Sequence, residues 1–167
     1  MSGHSKWSQI KHKKALTDKK KGQLFSKTAK IISLAARKGP NPEINLELKN
    51  AVNKAREMNM PNENIKRAID KVSDNSHQLE ELSVEAIGPG GIALKIRAIT
   101  DSRNRTISEV KQILNEHNSK MVPRGSISWM FGQPVSIDDS EINNQIEKLM
   151  EALDDHDDVE DVATNLN

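Results

Sequence analysis

Along the chain, apolar positions keep a helical period first and a strand period afterwards. From Leu24, apolar or small residues recur at Thr28, Ile31, Ile32 and Ala35, one face of a 3.6-residue repeat. Gly39-Pro40 predicts the end of that helix, because glycine suits a left-handed cap and proline cannot continue a helix. Asn41-Pro42 has the form of an N-cap followed by proline at the first helical position. The second helix then uses Leu48, Val52 and Ala55 as its stripe. Met60-Pro61-Asn62 interrupts the pattern, and Ile65, Ala68, Ile69 and Val72 predict a third helix. The polar stretch "SDNSHQLEE" (73–81) reads as a linker.

Beyond it the period becomes 2. Leu82, Val84 and Ala86 alternate, as do Ile92, Leu94, Ile96 and Ala98, and Gly88-Pro89-Gly90-Gly91 between them fits a type II turn. A helix follows with Ile107, Val110, Ile113 and Leu114 inward. "SISWMF" (126–131) predicts a strand with Ile127, Trp129 and Phe131 on one face. A last helix uses Ile142, Ile146, Leu149, Met150 and Leu153, and a short strand near 159–163 closes the sheet. The expected class is α+β: a basic arm and small helical domain over 1–75, then an α/β sandwich of about four strands and two helices over 80–167.

Charge changes this picture. The net charge of +1 hides a strong gradient. Residues 1–72 hold 17 Lys and Arg against 6 Asp and Glu, residues 73–132 hold 7 against 7, and residues 133–167 hold 1 against 11. Such asymmetry predicts a polyanionic partner for the basic end. With no cysteine, disulfides, thiolate metal sites and cysteine nucleophiles are excluded. No apolar run approaches the roughly 18 residues of a spanning helix, and no apolar h-region follows the basic start. The expectation is a cytoplasmic protein with no membrane and no small-molecule substrate.

Several stretches resemble the YebC family: "GHSKWSQIKHKK" (3–14), "NMPNENIKRAI" (59–69), "GPGG" (88–91), "TDSRNRT" (100–106), "SISWMF" (126–131) and "EALDDHDDVEDV" (151–162). The resemblance spans nearly the whole chain in the family's order. It implies a helical first domain, an α/β second domain and a non-enzymatic role in gene expression. The family's role is either that of a DNA-binding transcriptional regulator or that of a ribosome-associated factor. Family members carry a third domain inserted after the segment matching 126–131. Here only "GQPVSIDDSE" separates Phe131 from the final helix, so this is a compact version, with Ala163 where the family shows an aromatic.

The candidate contacts begin in the basic arm. Lys6, Lys11, Lys13, Lys14, Lys19, Lys20, Lys21 and Lys27 are read as phosphate contacts, with His12 among them. Trp7 is open between stacking on a base and packing in the core. If about seven phosphates were neutralised, log K would fall with log salt at a slope near −6 on a duplex. Lysine acts as a point charge, so the arm supplies affinity rather than sequence preference. Arg103, Asn104 and Arg105 sit at a strand-to-helix junction. Capping by Asp101 or Ser102 is the ordinary reading there, and a second anion contact is the functional one. Arg124 extends that set.

No catalytic constellation is present: the five histidines form no HExxH pair, and no GxSxG, Walker or dinucleotide fingerprint occurs. "DDHDD" lacks EF-hand spacing and reads as a solvated turn. No cofactor is implied and no metal is expected. The one metal hypothesis is incidental: after removal of Met1, Ser2-Gly3-His4 forms a square-planar Cu(II) or Ni(II) site. The acidic end reads as a solubilising surface, with an autoinhibitory contact to the basic end as the competing idea.

The sequence thus points to a nucleic-acid-binding regulator, leaning to a ribosome-associated translation factor that contacts rRNA or tRNA through the arm. A DNA-binding transcriptional regulator is the alternative, and a protein-interaction adaptor the third reading.

Overall fold

The computed structural model describes residues 17–73 and 78–167. Candidate contacts Lys6, Trp7, Lys11, His12, Lys13 and Lys14, and the His4 metal hypothesis, lie outside the described residues. So does the middle of the predicted linker. The chain forms two compact units that meet in sequence at Glu80 and Glu81.

In the first unit, helix α1 spans Asp18–Ala36, α2 spans Leu46–Glu57 and α3 spans Asn62–Asp70, the last extended by a 3-10 turn at Lys71–Ser73. Helix α1 starts six residues before the apolar stripe. Thr17 makes the difference: its hydroxyl accepts from the Lys20 amide at 3.3 Å, and Asp18 adds a carboxylate to the first turn. Both satisfy the orphan amides and dipole of a helix start. Gly39 ends the run at a φ of 145°, in a region only glycine enters readily.

Asn41-Pro42 does not open α2, contrary to the sequence pattern. Asn41 instead accepts from the Glu43 amide at 2.9 Å and closes a local turn. The cap is Asn45, which is buried. Its Oδ1 accepts from the Leu48 amide at 3.1 Å. Its Nδ2 donates to the Ala35 carbonyl at 2.9 Å and the Gly39 carbonyl at 2.8 Å. One amide therefore satisfies orphan groups at the end of α1 and the start of α2. The core beneath is Ile32, Leu48, Val52, Ala55, Met60, Ile65 and Ala68, and the Ser33 hydroxyl ties α1 to α3 by donating to the Ala68 carbonyl at 2.7 Å.

The second unit is a four-stranded sheet of order β3-β1-β2-β4, with β1 at Glu80–Ile87, β2 at Ala93–Thr100, β3 at Lys120–Val122 and β4 at Val159–Thr164. Strands β1 and β3 pair antiparallel with Ala86 opposite Met121. Strands β2 and β4 pair antiparallel with Ile96 opposite Val162, and the register shifts between Arg97 and Ala98. The polar linker of the sequence reading ends earlier than predicted, since Glu80 and Glu81 already belong to β1. Helices α4 (Arg103–Glu116) and α5 (Ser140–Asp154) supply Val110, Leu114, Ile146, Leu149, Met150 and Leu153 to one core with Leu82, Val84, Ala86, Leu94 and Ile96. The class is α+β, with the period-2 positions inward as read from sequence.

Gly90 holds φ 70° and ψ 9°, the geometry of position i+2 in a type II turn, and the Gly91 amide donates to Gly88 at 3.0 Å. A Cβ at Gly90 would lie 2.9 Å from Ile142 Cγ2 and 3.1 Å from Ile137 Cδ1. Glycine is thus needed for backbone and for space.

The predicted strand at 126–131 is a correction. The third strand lies earlier, at Lys120–Val122, and Ser128–Gly132 forms a 3-10 turn. Pro123 and Gly125, the latter at φ 87°, turn the chain out of the ladder. The i to i+3 bonds Ser126–Pro123, Met130–Ile127 and Gln133–Met130 then replace it. Ile127 alone of the expected inward face is buried, at 3%, while Trp129 is 64% exposed, its indole N–H donating to the Ser126 carbonyl at 3.1 Å.

Candidate nucleic-acid interface

The first unit carries the charge. Residues 17–73 hold 13 Lys and Arg against 6 Asp and Glu. Lys19, Lys20 and Lys21 occupy the first turn of α1, where Asp18 is the acid. Three cations at the positive end of a helix dipole are locally unfavourable, so helix formation does not explain their presence. Lys19 and Lys21 are exposed. Lys27, from the same predicted set, is buried at 7% exposure, on the core-facing side of α1.

Sequence reasoning missed the outward face of α2. Leu48, Ala51, Val52 and Ala55 point inward, which leaves Leu46, Asn50 and Asn53 in line on the opposite side at i, i+4 and i+7. Lys49 and Lys54 flank that line, and all these residues are exposed. The side chains of Asn50, Asn53, Lys49 and Lys54 make no hydrogen bond or ion pair with any described residue. The available signal was the spacing of the asparagines, opposite the apolar stripe. On α3, by contrast, Glu63 and Arg67 approach to 4.0 Å, the usual balanced surface.

In the second unit, Arg103, Asn104 and Arg105 open α4, and all three are exposed. Ser102 is the N-cap residue, without a side-chain bond. Arg105 is held within the chain. Its guanidinium lies 2.7 Å from Asp158 Oδ2, 3.2 Å from Asp101 and 3.8 Å from Glu109. The hydrogen bond to Asp158 raises its pKa above the ordinary arginine value; burial, the next largest effect, opposes the rise, and the charges of Asp158, Asp101 and Glu109 add to it. Arg124 is exposed beside Gly125, whose amide donates to the buried Glu85 carboxylate at 2.8 Å.

Asp158 changes the reading of "DDHDD" as a solvated turn. It is 4% exposed and accepts from Arg105 and from the Thr106 hydroxyl, each at 2.7 Å. Thr106 in turn contacts Thr100 Oγ1 at 2.8 Å. Glu109, His156 and Asp158 offer ligand atoms within 4.8 Å of one another. Their bonds argue against a metal there. The Asp158 amide donates to His156 Nδ1 at 3.1 Å, so the neutral ring carries its hydrogen on Nε2, which faces Glu109 at 2.8 Å. Neither ring nitrogen then has a free lone pair, and both carboxylates already pair with Arg105.

Comparison with known proteins fits this architecture. The profile described as "TACO1/YebC protein N-terminal domain" matches residues 5–75, and that of "TACO1/YebC second and third domain" matches residues 79–134. A protein of Chloroflexus aurantiacus named "Probable transcriptional regulatory protein" is 46% identical over 155 residues, covering 89% of this chain and 62% of its own length. One of Halothermothrix orenii with the same name is 42% identical over 174 aligned positions, covering 100% of this chain and 68% of its own length. The crystal structure of a conserved hypothetical protein from Aquifex aeolicus superposes with a TM-score of 0.88 at 30% identity, covering 96% of each chain. The chain belongs to the TACO1/YebC family. It spans about 62% of the length of the Chloroflexus relative. Among the described residues, no helix is long and apolar enough to cross a membrane.

Proposed function

We propose that this protein is a nucleic-acid-binding regulator of gene expression that acts by binding and performs no bond chemistry. The observation that carries the reading is the lysine turn at the start of α1, in a unit whose residues 17–73 hold 13 cations against 6 acids. Those lysines sit where they weaken the helix, and a polyanion offsets that cost. The relatives' names, as probable transcriptional regulatory proteins, support DNA as the partner. RNA on the ribosome is the second reading. It is favoured by the choice of lysine, a point charge indifferent to base identity.

The test compares duplex DNA, structured RNA and a protein-free polyanion control across a salt series. Replacing Lys19, Lys20 and Lys21 by Ala is expected to flatten the log K against log salt slope by about 0.9 for each lysine in contact with duplex phosphate. An unchanged slope on every nucleic acid removes these lysines from the interface. Failure of the wild-type chain to bind any of them at low salt removes the reading as a whole and favours the adaptor.

A further inference from the structure

We propose that the outward face of α2 reads base edges in the major groove of duplex DNA, with Asn50 and Asn53 as the readers and Lys49 and Lys54 on the flanking phosphates. This rests on the nucleic-acid reading above and names the surface and the form of nucleic acid.

Four observations lead there. First, asparagine is a poor residue for a helix interior because its amide competes for the backbone. Asn50 and Asn53 are exposed within α2 and form no bond with any described residue that would compensate. The fold gives no reason for them. Second, they share one line of the helix with Leu46, which is 72% exposed. The line is opposite the buried residues, so a surface approaching α2 meets it first.

Third, the chemistry matches one occupant. An asparagine amide can donate to and accept from adenine in the major groove, and an apolar side chain meets the thymine methyl there. Lysines beside that line reach phosphates. A protein interface would favour aromatic residues and Met over lysine. An A-form RNA duplex has a major groove too deep and narrow for a helix. Fourth, the scaffold is rigid. The helix is about 18 Å long at 1.5 Å per residue, its inner face is buried, and Asn45 locks its start to the end of α1.

The acids of this helix are compatible with the pose. Glu47 is paired with Lys38. Glu57 lies at the C-terminal end of the outward line, where a helix entering by its N-terminal residues leaves the groove.

The experiment is enrichment of a randomised duplex DNA pool by the full chain, followed by affinity measurements on the enriched duplex, on a scrambled duplex and on an RNA duplex of the enriched sequence. The wild type is expected to enrich a sequence containing adenine and to prefer it over the scrambled duplex. Each lost amide contact reduces discrimination at its base pair by roughly 5- to 150-fold. The double variant N50A/N53A is expected to lose that preference while keeping non-specific affinity within about twofold, since phosphate contacts carry it. The double variant K49Q/K54Q is expected to keep the preference and to flatten the salt slope by about two.

Circular dichroism checks that both variants retain the wild-type helix content. The inference is overturned if no sequence is enriched, if N50A/N53A enriches the same sequence, or if the RNA duplex binds equally well and responds equally to the variants. In each of those cases wild-type binding to nucleic acid leaves the broader function standing. Absence of all binding overturns both.

Discussion

Arg105 and Asp158, 53 positions apart, meet at 2.7 Å and join the start of α4 to the turn before β4. The pair is asymmetric: the Arg105 side chain is 46% exposed and that of Asp158 is 6% exposed. Asp158 also accepts from Thr106, so its loss strands more than one donor. Asp158→Ala is expected to lower stability by about 3 kcal/mol, as for a broken buried pair. Arg105→Ala, discounted for solvent screening, is expected to lower it by about 1 kcal/mol. Urea midpoints measure both, and an equal or reversed order would show that the carboxylate is not the anchor. The same arrangement predicts that Arg105→Ala leaves the salt dependence of nucleic-acid binding unchanged. A slope flatter by about one would instead place Arg105 on a phosphate.

Asn45 makes a second prediction. Asn45→Ala removes an N-cap acceptor and two donors, and the expected loss is about 2 kcal/mol. Asn45→Asp keeps the acceptor but turns an oxygen toward the Ala35 and Gly39 carbonyls, and it is expected to be no more stable than alanine. Were Asp as stable as Asn, the bonds to Ala35 and Gly39 would contribute nothing measurable.

Gly90 and Gly91 allow a matched comparison. Both have positive φ, at 70° and 76°, but a Cβ meets Ile142 and Ile137 at Gly90 and open space at Gly91. Gly91→Ala is expected to cost about 1 kcal/mol, the left-handed backbone penalty. Gly90→Ala adds overpacking of about 1–3 kcal/mol. Thermal midpoints of the two variants decide the matter, and similar values would count against the close approach of Ile142.

Ile127 and Trp129 separate a strand from a 3-10 turn. On a common strand face both truncations are costly. With Ile127 buried and Trp129 exposed, Ile127→Ala is expected to lose about 2–4 kcal/mol and Trp129→Ala less than about 1 kcal/mol. Denaturant titration of each variant checks it.

The inward residues were legible in the sequence wherever one period ran uninterrupted. Leu82, Val84 and Ala86 on β1, and Ile146, Leu149, Met150 and Leu153 on α5, are buried as their spacing required. Alternation over the six residues 126–131 misled, because period 2 describes a pattern of side chains and says nothing about backbone bonds. Pro123 and Gly125 decided those. The start of α1 was hidden for the opposite reason: a capped polar run has no stripe. Asp158 was invisible because its partners, Arg105 and Thr106, lie 53 and 52 positions earlier in the chain. The acids around it made it look solvated. Within the candidate interface, the excess of lysine was plain from composition. The outward line of α2 was not, since a search for apolar spacing ignores what faces away from it.

That outward line has a consequence of its own. The side chains of Asn50, Asn53, Lys49 and Lys54 contribute to no core, cap or ion pair among the described residues, so substitutions there leave folding almost untouched. Selection can therefore rewrite what α2 touches while the three-helix scaffold stays the same. A preference for one target can be exchanged for another within a few mutations, without passing through an unstable protein.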